Sequence, residues 1–316
     1  MDNHSHWDLF LYFFSASTSQ SYLKNCYESQ AIENANKKSY ENSYPFIYYL
    51  EHGQLYYQQA RLAPLSIKPV LLFYGYVHLI KACILTIDPN YPETTSVLAH
   101  GVSTRKRKKQ QYLFFKDEVK FQKSGLFPYM ADKMFHMKHL EGEKTTMKEL
   151  LTQIPELNQL FKLTEGTQPF IEINQYDGLF SLPKSIIDHY HMTESRFVDY
   201  LKSTAHSTIQ FEKTDNHDFF FKVNNSTLEE LLPIRFSQRN KKYYFPLEKK
   251  SLNLYSELLI HYLLLYNLSM IARYETEWWS ELIKMMPNQD FPFIQSFLNI
   301  TEEKGPFLIY QFLTAR

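Results

Sequence analysis

"SIKPVLLFYGYVHLIKACILTIDPN", residues 66–90, is the stretch on which the fold turns. Apolar side chains fall on nearly every side of a 3.6-residue helix drawn through it. Ser66 stands where a cap belongs, Pro69 suits the first turn, and Asp88-Pro89 ends the run. A helix that is apolar all round is either a core helix or a membrane span. His78 and Lys81 interrupt this run, as His261 interrupts the second apolar stretch, residues 258–272, which is too short to cross a bilayer comfortably. Both are therefore expected to be buried helices.

Upstream, "SYPFIYYLEHGQLYYQQARLAP" (43–64) repeats aromatic and aliphatic positions at three- and four-residue spacing and reads as helix up to Pro64. Downstream the pattern changes. In "YLFFKDEVKFQKSGLFPYM" (112–130), Glu118, Lys120 and Gln122 alternate with Val119 and Phe121, the mark of a strand closing at Gly125. "TTMKELLTQIPELNQLFKL" (145–163) returns to helical spacing. "QPFIEINQ" (168–175), "STIQFEK" (207–213), "DFFFKVN" (218–224) and "KYYFPL" (242–247) read as further strands. The end is helical again: residues 251–287 carry the strongest helical signal, and Pro292 and Pro306 fit the starts of two short helices. The expected fold class is α+β, predominantly α-helical. One unit spans residues 1–316, helical over 1–110, mixed α/β over 111–250, and helical over 251–316, where the chain packs back on the N-terminal helices to share their core.

Composition narrows the function classes. Lys plus Arg equals Asp plus Glu at 34 each, so no global field draws the 316-residue chain to nucleic acid or an anionic membrane. Electrostatic targeting has to be local, and Arg105, Lys106, Arg107, Lys108 and Lys109 form the one dense cationic run. That run suits an acidic protein surface, a phosphate chain or simply a solvated loop. Cys26 and Cys83 are the only cysteines, too few for a disulfide scaffold or a zinc cluster. No basic segment precedes the apolar patch at the N-terminus, and Asp2 and Asp8 flank it, so a cytoplasmic setting is expected. The 24 Tyr and 25 Phe against eight Gly suit helix faces at a core edge and recognition surfaces alike.

Two helical stripes carry polar chemistry. Tyr74, His78 and Lys81 share one face of the first apolar helix, where a lysine near a histidine is either a base of lowered pKa or a packed stem reaching water. Tyr262, Tyr266, Ser269 and Arg273 form a stripe on the late helix, able to bind an anion or to make a hydrogen-bonded seam. The pairs His4/His6, His136/His139 and His189/His191 lack the carboxylate or cysteine company of a metal site, and neither metal nor cofactor is expected. Dinucleotide, P-loop, serine-hydrolase and kinase signatures are missing from the sequence.

The segments 69–82 ("PVLLFYGYVHLIKA") and 256–279 ("SELLIHYLLLYNLSMIARYETEWW"), with His100-Gly101 between them, resemble the YaaC-like family of Bacillus and related Gram-positive bacteria over essentially the whole chain. Genes of that family commonly neighbour the one for IMP dehydrogenase, so the resemblance implies a link to purine nucleotide metabolism. The expected function is a non-catalytic binding or regulatory protein, with IMP dehydrogenase as the named partner. Arg105, Lys106, Arg107, Lys108, Lys109, His100 and Arg273 are the expected contacts to an anion or an acidic surface. The alternative is an enzyme that binds nucleic acid or a nucleotide on a HEPN-like helical core, with His100 as acid or base. HEPN ribonucleases place a His after an Arg with four to six residues between them, and Arg273 meets Trp278, Trp279 and Ser280 at those positions.

Overall fold

A computed structural model describes residues 6–104, 112–212, 217–224, 227–249 and 255–316. The chain divides into two units. One contains the residues up to Lys148 together with Leu258–Thr314, and the other contains Glu149–Glu257.

In the first unit the leading helices are α1 (Ala16–Ser29), α2 (Ala35–Leu62) and α3 (Lys68–Leu85). As its all-round apolarity requires, α3 is the core helix: Leu72, Phe73, Tyr76, Leu79, Ile80, Cys83 and Ile84 are each fully buried. Its start differs from expectation. Lys68 opens the helix with Pro69 in the first turn, and Ser66 makes no cap; its carbonyl instead accepts from Trp279 Nε1 at 3.0 Å. Helices α2 and α3 lie close because Gly53 faces Leu79 and Gly75 faces Tyr56 and Tyr57, so a methyl group at either glycine would collide.

A small antiparallel sheet follows, β1 (Val102–Thr104), β2 (Glu118–Phe121) and β3 (Lys144–Thr146), with β2 central, and α4 (Leu126–Phe135) lies between the last two strands. The expectation of helix through residue 110 is thus corrected by β1. Three residues are too few to show an alternating pattern, and the strand exists because Val102 pairs with Phe121 of β2. The 145–163 segment is also not one helix. Its first residues belong to β3, α5 (Met147–Leu151) is short, and Pro155 cannot donate within a continuing helix, so the chain restarts as α6 (Asn158–Glu165).

The second unit is built on a six-stranded antiparallel sheet. In chain order the strands are β4 (Phe170–Tyr176), β5 (Leu179–Pro183), β6 (Ile209–Phe211), β7 (Asp218–Val223), β8 (Arg235–Ser237) and β9 (Lys242–Pro246); in space they run β6-β7-β5-β4-β9-β8. Register sets Phe180 opposite Phe221 and Leu182 opposite Phe219. That row forms a core with Phe197 and Leu201 of α8 (Glu194–Thr204) and Ile186 of the short α7 (Ile186–Tyr190). The Asn158 side chain holds α6 to β4, donating to the Phe170 carbonyl at 3.1 Å and accepting from its N–H at 3.0 Å.

The chain then returns to the first unit through α9 (Glu257–Tyr274), α10 (Thr276–Met285) and α11 (Asp290–Thr314). Tyr76 of α3 donates to the Leu258 carbonyl at 3.1 Å, and α11 lies against α3, so N- and C-terminal helices share one core. The fold is α+β and predominantly helical. Residues 290–314 form one helix where two short ones are expected from Pro292 and Pro306. An interior proline costs a helix roughly 3 kcal/mol, but Phe297, Leu298, Ile309 and Leu313 on both sides of Pro306 are buried, and their packing outweighs that cost.

Candidate functional site

The two polar stripes meet at one place in the helical unit. On α3, Tyr74, His78 and Lys81 are each partly exposed on the face that looks toward Tyr49, His52 and Tyr56 of α2. His78 is surrounded by rings: Tyr56 stacks on it at 5.7 Å and 18°, His52 lies at 5.2 Å, and Tyr49 at 6.0 Å. Lys81 Nζ lies 5.7 Å above the Tyr49 ring. From α9, the Arg273 guanidinium covers Tyr74 at 5.7 Å and donates through Nη1 to its hydroxyl at 3.1 Å, while Nε donates to the Ser269 carbonyl at 3.2 Å. The late stripe is thus partly a seam, since Tyr262 donates to the His100 carbonyl at 2.8 Å, and partly an open end at Arg273.

His100 joins the group from the segment before β1. Its ring lies 5.1 Å from Phe73, 5.5 Å from Tyr266 and 6.3 Å from Tyr74. The backbone holds it there: its carbonyl also accepts from Phe127 N at 3.1 Å, and Leu126 N donates to the Ala99 carbonyl at 2.7 Å. The next residue, Gly101, has φ +77° and lies against Gly125, whose φ is +125°, so closely that a Cβ on either would strike the other's turn. His100-Gly101 is therefore a packed corner that fixes an imidazole beside Arg273.

Electrostatically the group is one-sided. Burial lowers the His78 pKa to about 4, aided by Lys81 and His52. Burial also lowers that of His100, aided by Arg273 and Lys81. Lys81 is pulled below its ordinary value by burial. Both imidazoles are consequently neutral at pH 7 and can accept a hydrogen bond or a proton. Neither Lys81 nor Arg273 forms an ion pair among the described residues. His78 Nδ1 is buried with no hydrogen-bond partner among them. Two cations, two neutral imidazoles and flanking tyrosines can hold an anion that brings its own charge and a flat surface.

The structure brings together His100 and Arg273, two of the seven residues expected from the sequence, although they lie on different elements. The other five, Arg105, Lys106, Arg107, Lys108 and Lys109, lie outside the described residues, as does His4. Sequence reading missed Tyr49, His52 and Tyr56; the signal was present in "YYLEHGQLYY", but nothing there says which ring faces α3. Among the described residues no group of three or more His, Cys, Asp or Glu is placed to hold a metal ion. His136 and His191, at φ +55° and +52°, instead occupy the left-handed positions that end α4 and α7.

A separate cavity of about 520 Å³ beside α4 has mixed lining charges, with Lys123, Lys138 and His139 set against Asp132 and Glu141. Lys138 is already 3.9 Å from Asp132. It has no comparable excess of one sign. Comparison with curated proteins and with solved structures returns no match. The family model for YaaC-like protein matches residues 11–313, so the chain belongs to the YaaC-like family.

Proposed function

We propose that this protein works by binding, holding a phosphate- or carboxylate-bearing partner on the face formed by Lys81, Arg273, His78 and His100. The observation that carries the reading is the concentration of cations and neutral imidazoles, with neither Lys81 nor Arg273 in an ion pair among the described residues, in a chain whose overall charge is balanced. A bound anion would supply the missing counter-charge and give the buried His78 nitrogen a donor or acceptor. The setting is cytoplasmic in this reading, with Cys26 and Cys83 both buried as free thiols. A regulatory role in purine nucleotide metabolism, with IMP dehydrogenase as partner, belongs to the same proposal and rests on the family's gene neighbourhood.

Titration calorimetry with inorganic phosphate, GMP and a glutamate-rich peptide tests the site, and its arms separate the two sources of anion. R273Q and K81Q should each weaken the anion that binds by about tenfold or more, the usual loss for a charged hydrogen bond. Absence of binding for all three anions at low salt overturns the reading. Gel filtration of the protein mixed with purified IMP dehydrogenase tests the partner; separate migration at low salt removes that enzyme from the proposal.

A further inference from the structure

We propose that the anion-binding face continues along α2 and takes single-stranded nucleic acid, with bases on a row of tyrosines and phosphates on Lys81 and Arg273. The inference rests on the anion-binding reading above and names its ligand class. Tyr40, Tyr44 and Tyr48 follow one another at four-residue spacing on α2 and are 68%, 55% and 53% exposed. Four-residue spacing makes a ridge along a helix surface. The rings of Tyr44 and Tyr48 are 6.0 Å apart and inclined at 36°, so the two are neighbours in one aromatic row. The same ridge continues to His52 and Tyr56, which meet His78 in the cationic group. From Tyr40 to Tyr56 the row rises about 24 Å at 1.5 Å per residue while turning about 40° around the helix at each step, a diagonal path across its exposed side long enough for a strand of a few nucleotides.

The aromatic row separates this ligand from an acidic polypeptide. Carboxylates would use Lys81 and Arg273 and leave the tyrosines idle, whereas every base has a π-face and stacks without regard to sequence. A duplex hides those faces. Charge along the row is permissive: Glu41 is matched by Lys37 at 3.8 Å, and Glu51, three residues on from Tyr48, is an exposed carboxylate beside the path.

Fluorescence anisotropy of the full chain with fluorescein-labelled U12 RNA tests the inference, with a U12·A12 duplex, polyglutamate and pyrophosphate as competitors. U12 should bind with a log–log salt slope of about −1.4 for two phosphates on a single strand, and R273Q should reduce that slope by about 0.7. Y44A/Y48A, in which both altered side chains are exposed, should weaken U12 at least about fivefold with the slope and the melting temperature unchanged. E51Q should tighten it. The inference is overturned if U12 binds no better than the duplex, or if Y44A/Y48A binds U12 like the parent. If pyrophosphate still binds and R273Q abolishes it, the anion site stands while the nucleic-acid ligand falls. If neither U12 nor pyrophosphate binds, both fall; if polyglutamate displaces U12 completely and the tyrosine variants change nothing, the ligand is an acidic protein.

Discussion

Arg273 in the helical unit and Arg235 in the sheet unit stand in opposite electrostatic company. Arg235 is 3% exposed and donates to the Tyr255 carbonyl at 2.6 Å. Burial pushes its pKa down, and the carboxylates of Glu257, Glu229 and Glu156 push it back up. Arg273 is partly exposed, satisfied by a tyrosine hydroxyl, a backbone carbonyl and a thioether, and its charge acts on the His100 imidazole. A buried cation needs its counter-charge inside the fold, because the desolvation cost is otherwise uncompensated. A cation at a face can leave that role to a ligand. The difference separates a structural ion cluster from a candidate binding group by chemistry alone.

The comparison breaks most sharply at Arg235. R235M leaves several carboxylates in a buried site without their cation and should cost roughly 3–5 kcal/mol, seen as a drop in the urea midpoint. A loss below about 1 kcal/mol would remove the contrast. Next comes the corner that fixes His100. G101A introduces a side chain at φ +77° where Pro128 and the Phe127 N–H already stand, and should cost about 1–3 kcal/mol together with weaker anion binding. Unchanged phosphate affinity in G101A would show that the position of His100 is immaterial.

Glu229 sharpens the sheet-unit side. Burial raises its pKa to about 7, with Glu257 adding and Arg235 and Ser256 opposing. The folded protein therefore binds a proton that the unfolded chain has released, and stability falls as pH rises from about 4.5 to 7 and levels above that. E229Q should flatten this fall by an amount on the order of 1–2 kcal/mol, less than the full shift because the side chain keeps some contact with solvent. R273M should cost less still, about 1 kcal/mol or under, while phosphate binding weakens. The effect of His78 shows only in acid. Its folded pKa is depressed, so its contribution to stability is present above about 6.5 and is lost as pH falls toward 4. H78N should make the melting temperature less sensitive to acid over that interval. Anion binding should move the other way, tightening as either imidazole gains a proton.

The parts of the fold legible in the sequence are those whose cause is local. Helix α3 declares itself because apolar residues surround it and Asp88-Pro89 stops it, and β4, β6, β7 and β9 show alternation or dense aromatic runs. Strands β1 and β3 do not, since three residues cannot display a period, and α11 reads through Pro306 only because both halves find the same core. At the site, helical spacing gave the stripe of Tyr74, His78 and Lys81 and the stripe ending in Arg273. Their convergence was not legible, because Tyr74 and Arg273 are 199 residues apart and only tertiary packing brings them together. Which rings of α2 join them depends on the α2–α3 approach that Gly53 and Gly75 permit.

Because one unit is made from both ends of the chain, its birth on the ribosome is interrupted. Tyr76 waits for Leu258, 182 residues later, before its hydroxyl has an acceptor. At about 5–20 residues per second that is a delay of roughly 10–35 s. Throughout it α3 is held only by α1, α2 and α4, without the cover that α9 and α11 later supply. Nascent chains halted before residue 258 should consequently recruit holdase chaperones, and release of the last sixty residues should end that dependence.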